Sequence, residues 1–261
     1  GERLIPEAWV EQATKFQVSN AGSGMGEAED DDENDWAQGY GFQFWRCRHN
    51  VYRGDGAFGQ FCIVMPDQDA VIAITSAVGV MQTVLDQAWT YLLPAMGDAP
   101  LAEDAEVAAE LAKKLGSLNL PTPAGDANSA LEASISGRVH RFDKNEHGLD
   151  ALSLTFNGDT CTLTHWAGEH QNQIVATHGL WRDENTYANQ FISSTAAAAG
   201  AWVDPNVYEM VIALTETPFC MTFTHRFDGD RVLFDDCVNV SFDETQNPQL
   251  VGQVEPKVET I

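Results

Sequence analysis

Hydrophobic residues alternate with polar or small ones in short runs along much of the chain. They recur at helical spacing in only three places. Between 39 and 76 the sequence reads GYGFQFWRCRHNVYRGDGAFGQFCIVMPDQDAVIAITS. Tyr40, Phe42, Phe44 and Cys47 roughly alternate and predict a strand over 39–47. Arg48-His49-Asn50 is a turn, and a strand resumes over 51–53 until Gly54-Asp55-Gly56 interrupts it. Further extended runs cover 58–65 and 70–76, either side of a Pro66-Asp67-Gln68-Asp69 turn. Consecutive strands with short turns predict an antiparallel meander. Two helices flank it. Trp9, Val10, Ala13 and Phe16, behind Pro6-Glu7, predict one over 6–18. Val80, Val84, Leu85, Ala88, Trp89, Leu92 and Leu93 form a wide apolar stripe over 80–96. That stripe needs cover, either in a compact α+β layer made by 1–97 or in a dimer across the same face.

The pattern changes after residue 97. Val107, Leu111 and Leu115 sit at i, i+4 and i+8 in an Ala-rich stretch bracketed by Pro100 and Pro121-Thr122-Pro123, which predicts a helical linker over 98–125. Residues 126–261 read as all-β. Candidate strands lie at 133–142, 151–156, 160–166, 173–177, 187–192, 199–203, 208–214, 219–226, 231–234 and 238–242. Asn157-Gly158-Asp159 and Asp228-Gly229-Asp230 are hairpin turns. Many short strands with regular turns predict a barrel or sandwich, with a frayed tail over 253–261. The fold class is therefore α+β followed by an all-β domain, divided as 1–97, 98–125 and 126–261.

Charge narrows the partners. The formal net charge is −25, with a sequence pI near 4.3. Such a surface repels phosphate backbones and anionic lipid, so nucleic acid and membrane are not expected partners. No apolar run approaches the ~18 residues of a membrane span. A cytoplasmic setting fits the acidity. Seven acids crowd positions 27–35 among small polar residues and predict a solvated loop. The run lacks the spacing of a calcium loop. Five cysteines without C-x-x-C spacing (Cys47, Cys62, Cys161, Cys220, Cys237) read as reduced thiols packed in apolar runs. His140, His147, His165, His170, His178 and His225 are scattered, and His225-Arg226 reads as a surface pair. No metal and no cofactor is expected. Trp166, Trp181, Trp202, Phe219 and Phe223 read as core, with a ligand cavity as the alternative.

The order GYGFQFW, then GDGAFGQ, then FCIVMPDQDAVIAITS, then a closing helix resembles the C-terminal part of serine hydrolases of the β-lactamase and penicillin-binding-protein superfamily. The resemblance covers about residues 1–97. It implies a partial β-lactamase-like antiparallel sheet with flanking N- and C-terminal helices, and ester, amide or peptide hydrolysis through an acyl-serine. It places Gly54, Asp55 and Gly56 on the family's third active-site motif and makes the Ala57 N–H a candidate oxyanion donor. The motif's basic residue is absent here, with Arg53 and His49 the nearest candidates for positive charge. No serine is followed three residues later by lysine. Tyr187-Ala188-Asn189 matches the second motif in form only, since it follows the third-motif strand. The implied partner is a catalytic N-terminal half that carries the nucleophile, without which the chain is inactive in acyl transfer. A homodimer is the alternative partner. Residues 126–261 resemble the lipocalin-like barrels appended to some of these hydrolases.

Overall fold

The computed structural model describes residues 2–20, 32–97, 99–188 and 193–255. The chain forms two compact units, Gly1–Ser117 and Leu118–Ile261. The division falls inside the stretch that the sequence marks as a linker.

In the first unit a short helix, α1 (Glu7–Thr14), precedes four strands: β1 (Trp45–Arg46), β2 (Tyr52–Gly56), β3 (Gln60–Met65) and β4 (Ala70–Ile74). They form one antiparallel sheet in the order β1-β2-β3-β4, the expected meander. α2 (Gln82–Gln87) continues as a π turn over Ala88–Leu92 and a 3₁₀ turn over Leu93–Ala95. α3 (Ala105–Gly116) follows. Its N-cap is Asp104, whose carboxylate accepts the N–H groups of Glu106 and Val107 at 3.1 and 3.0 Å.

Three local expectations fail for identifiable reasons. Residues 39–47 are not one strand. A side chain at Gly41 would lie 2.2 Å from the Ala13 carbonyl oxygen, and Gln43 has φ +63°, so only Trp45 and Arg46 join β2. Gly54-Asp55-Gly56 does not interrupt its strand. Pairing runs unbroken from Tyr52↔Val64 to Gly56↔Gln60, and the chain reverses at 57–59, where Phe58 and Gly59 have φ +63° and +87°. The helix expected over 80–96 is regular only to Gln87. Pro94 has no N–H to give and crowds the preceding turn, and the winding changes ahead of it.

One face of this sheet is covered. Phe61, Ile63 and Met65 pack with Leu85, Ala88, Trp89 and Trp36 in one cluster of buried residues. The stripe is thus covered at Leu85, Ala88 and Trp89, whereas Val80 and Leu92 at its ends stay exposed.

The second unit opens with one helical turn, α4 (Glu132–Ile135). Ten strands follow among the described residues: β5 (Val139–Phe142), β6 (Ala151–Asn157), β7 (Thr160–Ala167), β8 (His170–Thr177), β9 (Arg182–Ala188), β10 (Ser193–Asp204), β11 (Val207–Leu214), β12 (Cys220–Asp228), β13 (Arg231–Val238) and β14 (Leu250–Val254). All but β9 close into a ring, because β10 pairs with β11 on one edge and with β8 on the other. β9 runs antiparallel along the first half of β10. The unit is a closed β-barrel, which decides between barrel and sandwich. The Gly158 and Gly229 hairpins have φ +63° and +61° at their glycines, as their turn type requires.

The misplaced strands are instructive. The segment 133–142 splits into α4 and β5, and of 238–242 only Val238 lies in a strand, as the end of β13. β14 was not predicted, and Gln253, expected in a frayed tail, pairs with Arg231 inside it. Residues 256–261 lie outside the described residues. β10 is longer than predicted because its run of small residues is a packing surface. A Cβ on Gly200 would lie 2.2 Å from the Tyr208 hydroxyl.

Candidate functional site

Gly54, Asp55 and Gly56 lie on β2, and Ala57, itself exposed, begins the turn after it, in which Phe58 and Gly59 are buried. Register divides them between faces. Arg53 and Asp55 share the covered face with Ile63 and Phe61, whereas Gly54 and Gly56 share the other face with Cys62 and Gln60. That second face also carries Val64, Val71 and Ala73, and Cys62, Val71 and Ala73 are exposed. Asp55 therefore does not project with the glycines. Arg53 donates to its Oδ2 through Nε at 2.9 Å and pairs with it through a second nitrogen at 2.8 Å. Burial lifts the Asp55 carboxyl above its ordinary value despite that cation. Arg53 is fully buried, with its guanidinium 4.4 Å from the Trp36 ring centroid, and gives further hydrogen bonds to the Asp35 carbonyl and Cys47 Sγ. It is a structural cation of the covered layer. His49 is exposed beside Trp89.

Asp35, the last acid of the run expected to be solvated, is fully buried. Acids 27–31 lie outside the described residues. The Asp35 carboxylate accepts from the Arg48 N–H at 2.9 Å, the Arg48 guanidinium at 3.0 Å, Gln82 Nε2 at 2.8 Å and Trp89 Nε1 at 2.8 Å. Burial acts to raise its pKa, but these hydrogen bonds outweigh it and hold the carboxyl below its ordinary value. The cluster ties the segment before β1 to α2.

The barrel interior holds the groups that the sequence reading missed. Paired residues share a face. His140, Leu152 and His165 are paired across β5, β6 and β7; Tyr208, His225 and Phe234 are paired across β11, β12 and β13. Both sets belong to the inward face, with Leu163, Met210 and Phe223 in the same buried cluster. His140 is 1% exposed and His225 0%. His225 is thus interior and not a surface residue. The signal was available, because Phe142 stands two residues from His140, and Phe223 and Phe227 two residues either side of His225. Burial pushes the pKa of His140, His165 and His225 down to about 4, so all three are neutral near pH 7. His225 Nδ1 meets the Tyr208 carbonyl at 3.3 Å. Its Nε2 and both ring nitrogens of His140 meet no protein partner at hydrogen-bond distance and angle, although the Arg138 backbone lies near enough to the His140 ring to favour its protonated form.

Of the aromatic candidates, Trp202 and Phe223 are buried in the interior cluster. Trp202 donates to Glu132 Oε1 at 2.8 Å and anchors α4. Trp181 donates to the Leu120 carbonyl outside the strands. Trp166 lines a half-open cleft of about 480 Å³ with Arg141, Asp150, Gly168 and Glu255. Cys47 and Cys161 are buried, Cys220 and Cys237 half-buried and Cys62 exposed, so the thiols are not uniformly packed. Asn189 of the Tyr187-Ala188-Asn189 match lies outside the described residues. Among the described residues, no three His, Cys, Asp or Glu side chains are placed to hold a metal ion, and no helix is long and apolar enough to cross a membrane.

No family model matches the chain, and no curated protein matches it. Among solved structures, the chain is similar to a fatty-acid-binding protein of Drosophila melanogaster brain at 15% identity and TM-score 0.34, over 47% of this chain and 99% of that one. It is similar to the fatty-acid-binding protein of Manduca sexta at 14% identity and TM-score 0.34, over 46% and 98%. A Schistosoma mansoni fatty-acid-binding protein in complex with arachidonic acid matches at 10% identity and TM-score 0.37, over 48% and 98%. Likenesses this distant carry no functional argument, and the strand pairing alone makes the second unit a barrel.

Proposed function

We propose that the second unit is a non-catalytic ligand-binding barrel. The observation that supports this most is the fully buried pair His140 and His225, three of whose four ring nitrogens make no protein hydrogen bond inside a closed ring. Orphaned buried polar groups cost about 1–3 kcal/mol each and call for a guest that satisfies them. Titration with the neutral, environment-sensitive dye Nile red is the test. Saturable one-to-one binding that is lost on filling the interior (Ala198→Trp, with fold confirmed by circular dichroism) supports the reading. Absence of saturable binding sinks it.

A second reading concerns the first unit. It serves as one wall of a β-lactamase-like serine hydrolase, with the nucleophile supplied by a partner half. What favours it is the bare sheet face, where Gly54 and Gly56 lie beside Cys62 and Ala73. Side chains that small admit close approach of a substrate or a covering layer, and an uncovered apolar sheet face asks for one. The Ala57 N–H is then the oxyanion donor. Asp55, tied to Arg53, has a structural role in this reading. A chain that includes the partner half should label with a fluorophosphonate or penicillin probe and should shield Cys62 from alkylation. This chain alone should do neither, and acylation of this chain alone would refute the reading.

A further inference from the structure

The chemistry of the barrel interior narrows its guest. A neutral imidazole with both nitrogens free offers one N–H donor and one nitrogen acceptor. His140 presents that combination, and His225 Nε2 adds a third free position. The surroundings are apolar: Phe227 lies 5.8 Å from the His140 ring, and Phe234 lies 5.2 Å from the His225 ring. Arg182, which register pairs with the inward Ala198, is partly exposed and already paired with Glu184, and Arg138, two residues before His140, is paired with Asp230, so among the described residues no fully buried Arg or Lys stands in the barrel. The strand-borne cations Arg141 and Arg231 pair with Ala151 and Gln253 on the other face. An anionic headgroup would therefore enter without a counter-charge, in a chain of net charge −25.

Resting on the barrel reading above, we propose that the interior at His140 and His225 takes a small neutral amphiphile with a hydroxyl headgroup on an apolar body, in preference to a fatty carboxylate. A hydroxyl both donates and accepts, which matches the two nitrogens of His140. The phenylalanines and Leu152 receive the apolar body.

Displacement of Nile red from the full chain at pH 7 by 1-octanol, n-octane and octanoate tests this, read together with imidazole ¹⁵N signals. The expected result is that octanol displaces the dye at least ten-fold more tightly than octane or octanoate, and moves the His140 and His225 signals. His140→Phe and His225→Phe should each remove the preference for octanol over octane. His140→Gln, which keeps a donor and an acceptor, should retain the preference. Equal affinity for octanol and octane, tightest binding of octanoate, or unmoved imidazole signals (buried water only) would each overturn the headgroup assignment while leaving a ligand-binding barrel standing. No displacement by any of the three, in a chain that fails to bind the dye, overturns both.

Discussion

The side chain of Asn185 brackets the backbone of Val175: its Oδ1 accepts the Val175 N–H at 2.7 Å, and its Nδ2 donates to the Val175 carbonyl at 3.0 Å. Asn172 treats the N–H and carbonyl of Ala188 in the same way. These two amides join β8 to β9, where no backbone ladder does. The seam is therefore held by side chains, each reproducing the donor and acceptor pattern of a missing strand.

Asn185→Ala leaves the Val175 N–H and carbonyl without their partner in a position that is 7% exposed. The expected cost is about 2–3 kcal/mol, two lost hydrogen bonds with incomplete solvent replacement. Urea denaturation measures it. Amide exchange at Val175 and Ala188 should rise more than at Leu163, because opening begins at the seam. Uniform acceleration across the barrel would show that the seam is not a local weak point.

The three interior histidines set a pH dependence. Unfolded, each takes up a proton near 6.5; folded, only near 4. Between those values the unfolded chain binds more protons, so stability falls as pH falls. The decline is about 1.4 kcal/mol per pH unit for each histidine. Above about pH 7 their contribution is constant. His225→Phe should make stability between pH 6.5 and 4 less steep by about one proton. An unchanged slope would mean that His225 is not held neutral. Asp35 acts in a lower window: its depressed pKa stabilises the fold above the ordinary carboxylate range, and that contribution is lost as pH falls through and below 3.8.

In the first unit, Asp35→Ala should be among the most damaging substitutions. It strands the Trp89 indole N–H beside a buried void and leaves the Arg48 guanidinium and Gln82 Nε2 with Asp86 alone. The expected loss is about 3–5 kcal/mol. Thermal unfolding followed by tryptophan fluorescence would report it, and a loss below about 1 kcal/mol would mean that water replaces the carboxylate.

Gly200→Ala should also destabilise the barrel. The new methyl falls on the Tyr208 hydroxyl, and the contact at Cζ is 2.7 Å, so β11 must shift or the ring must leave its place. About 1–3 kcal/mol is expected from such overpacking. Tyr208→Phe in the same background removes the hydroxyl and should recover part of the loss. No recovery would place the strain elsewhere on β10.

Much of the architecture was legible because local signals and tertiary structure agree. The β6–β7 and β12–β13 hairpins are written in Asn157-Gly158-Asp159 and Asp228-Gly229-Asp230, and the meander in alternation across 58–76. Other features depend on partners distant in sequence. Gly41 is shaped by the Ala13 carbonyl, and Gly200 by Tyr208. Asp35 looks like one acid in a solvated run until Gln82 and Trp89 meet it 47 and 54 residues later. The inward histidines were legible by parity with their phenylalanine neighbours. Their lack of partners was not, since it depends on what neighbouring strands present at the same level.

The central claim is that the barrel interior at His140 and His225 accommodates a guest. A crystal of the full chain soaked with 1-octanol tests it most directly. The expected result is density for one octanol, with its oxygen within about 3 Å of a His140 or His225 ring nitrogen and its chain against Phe227 or Phe234. An interior filled by side chains alone, or one that holds only water at those nitrogens, would contradict it.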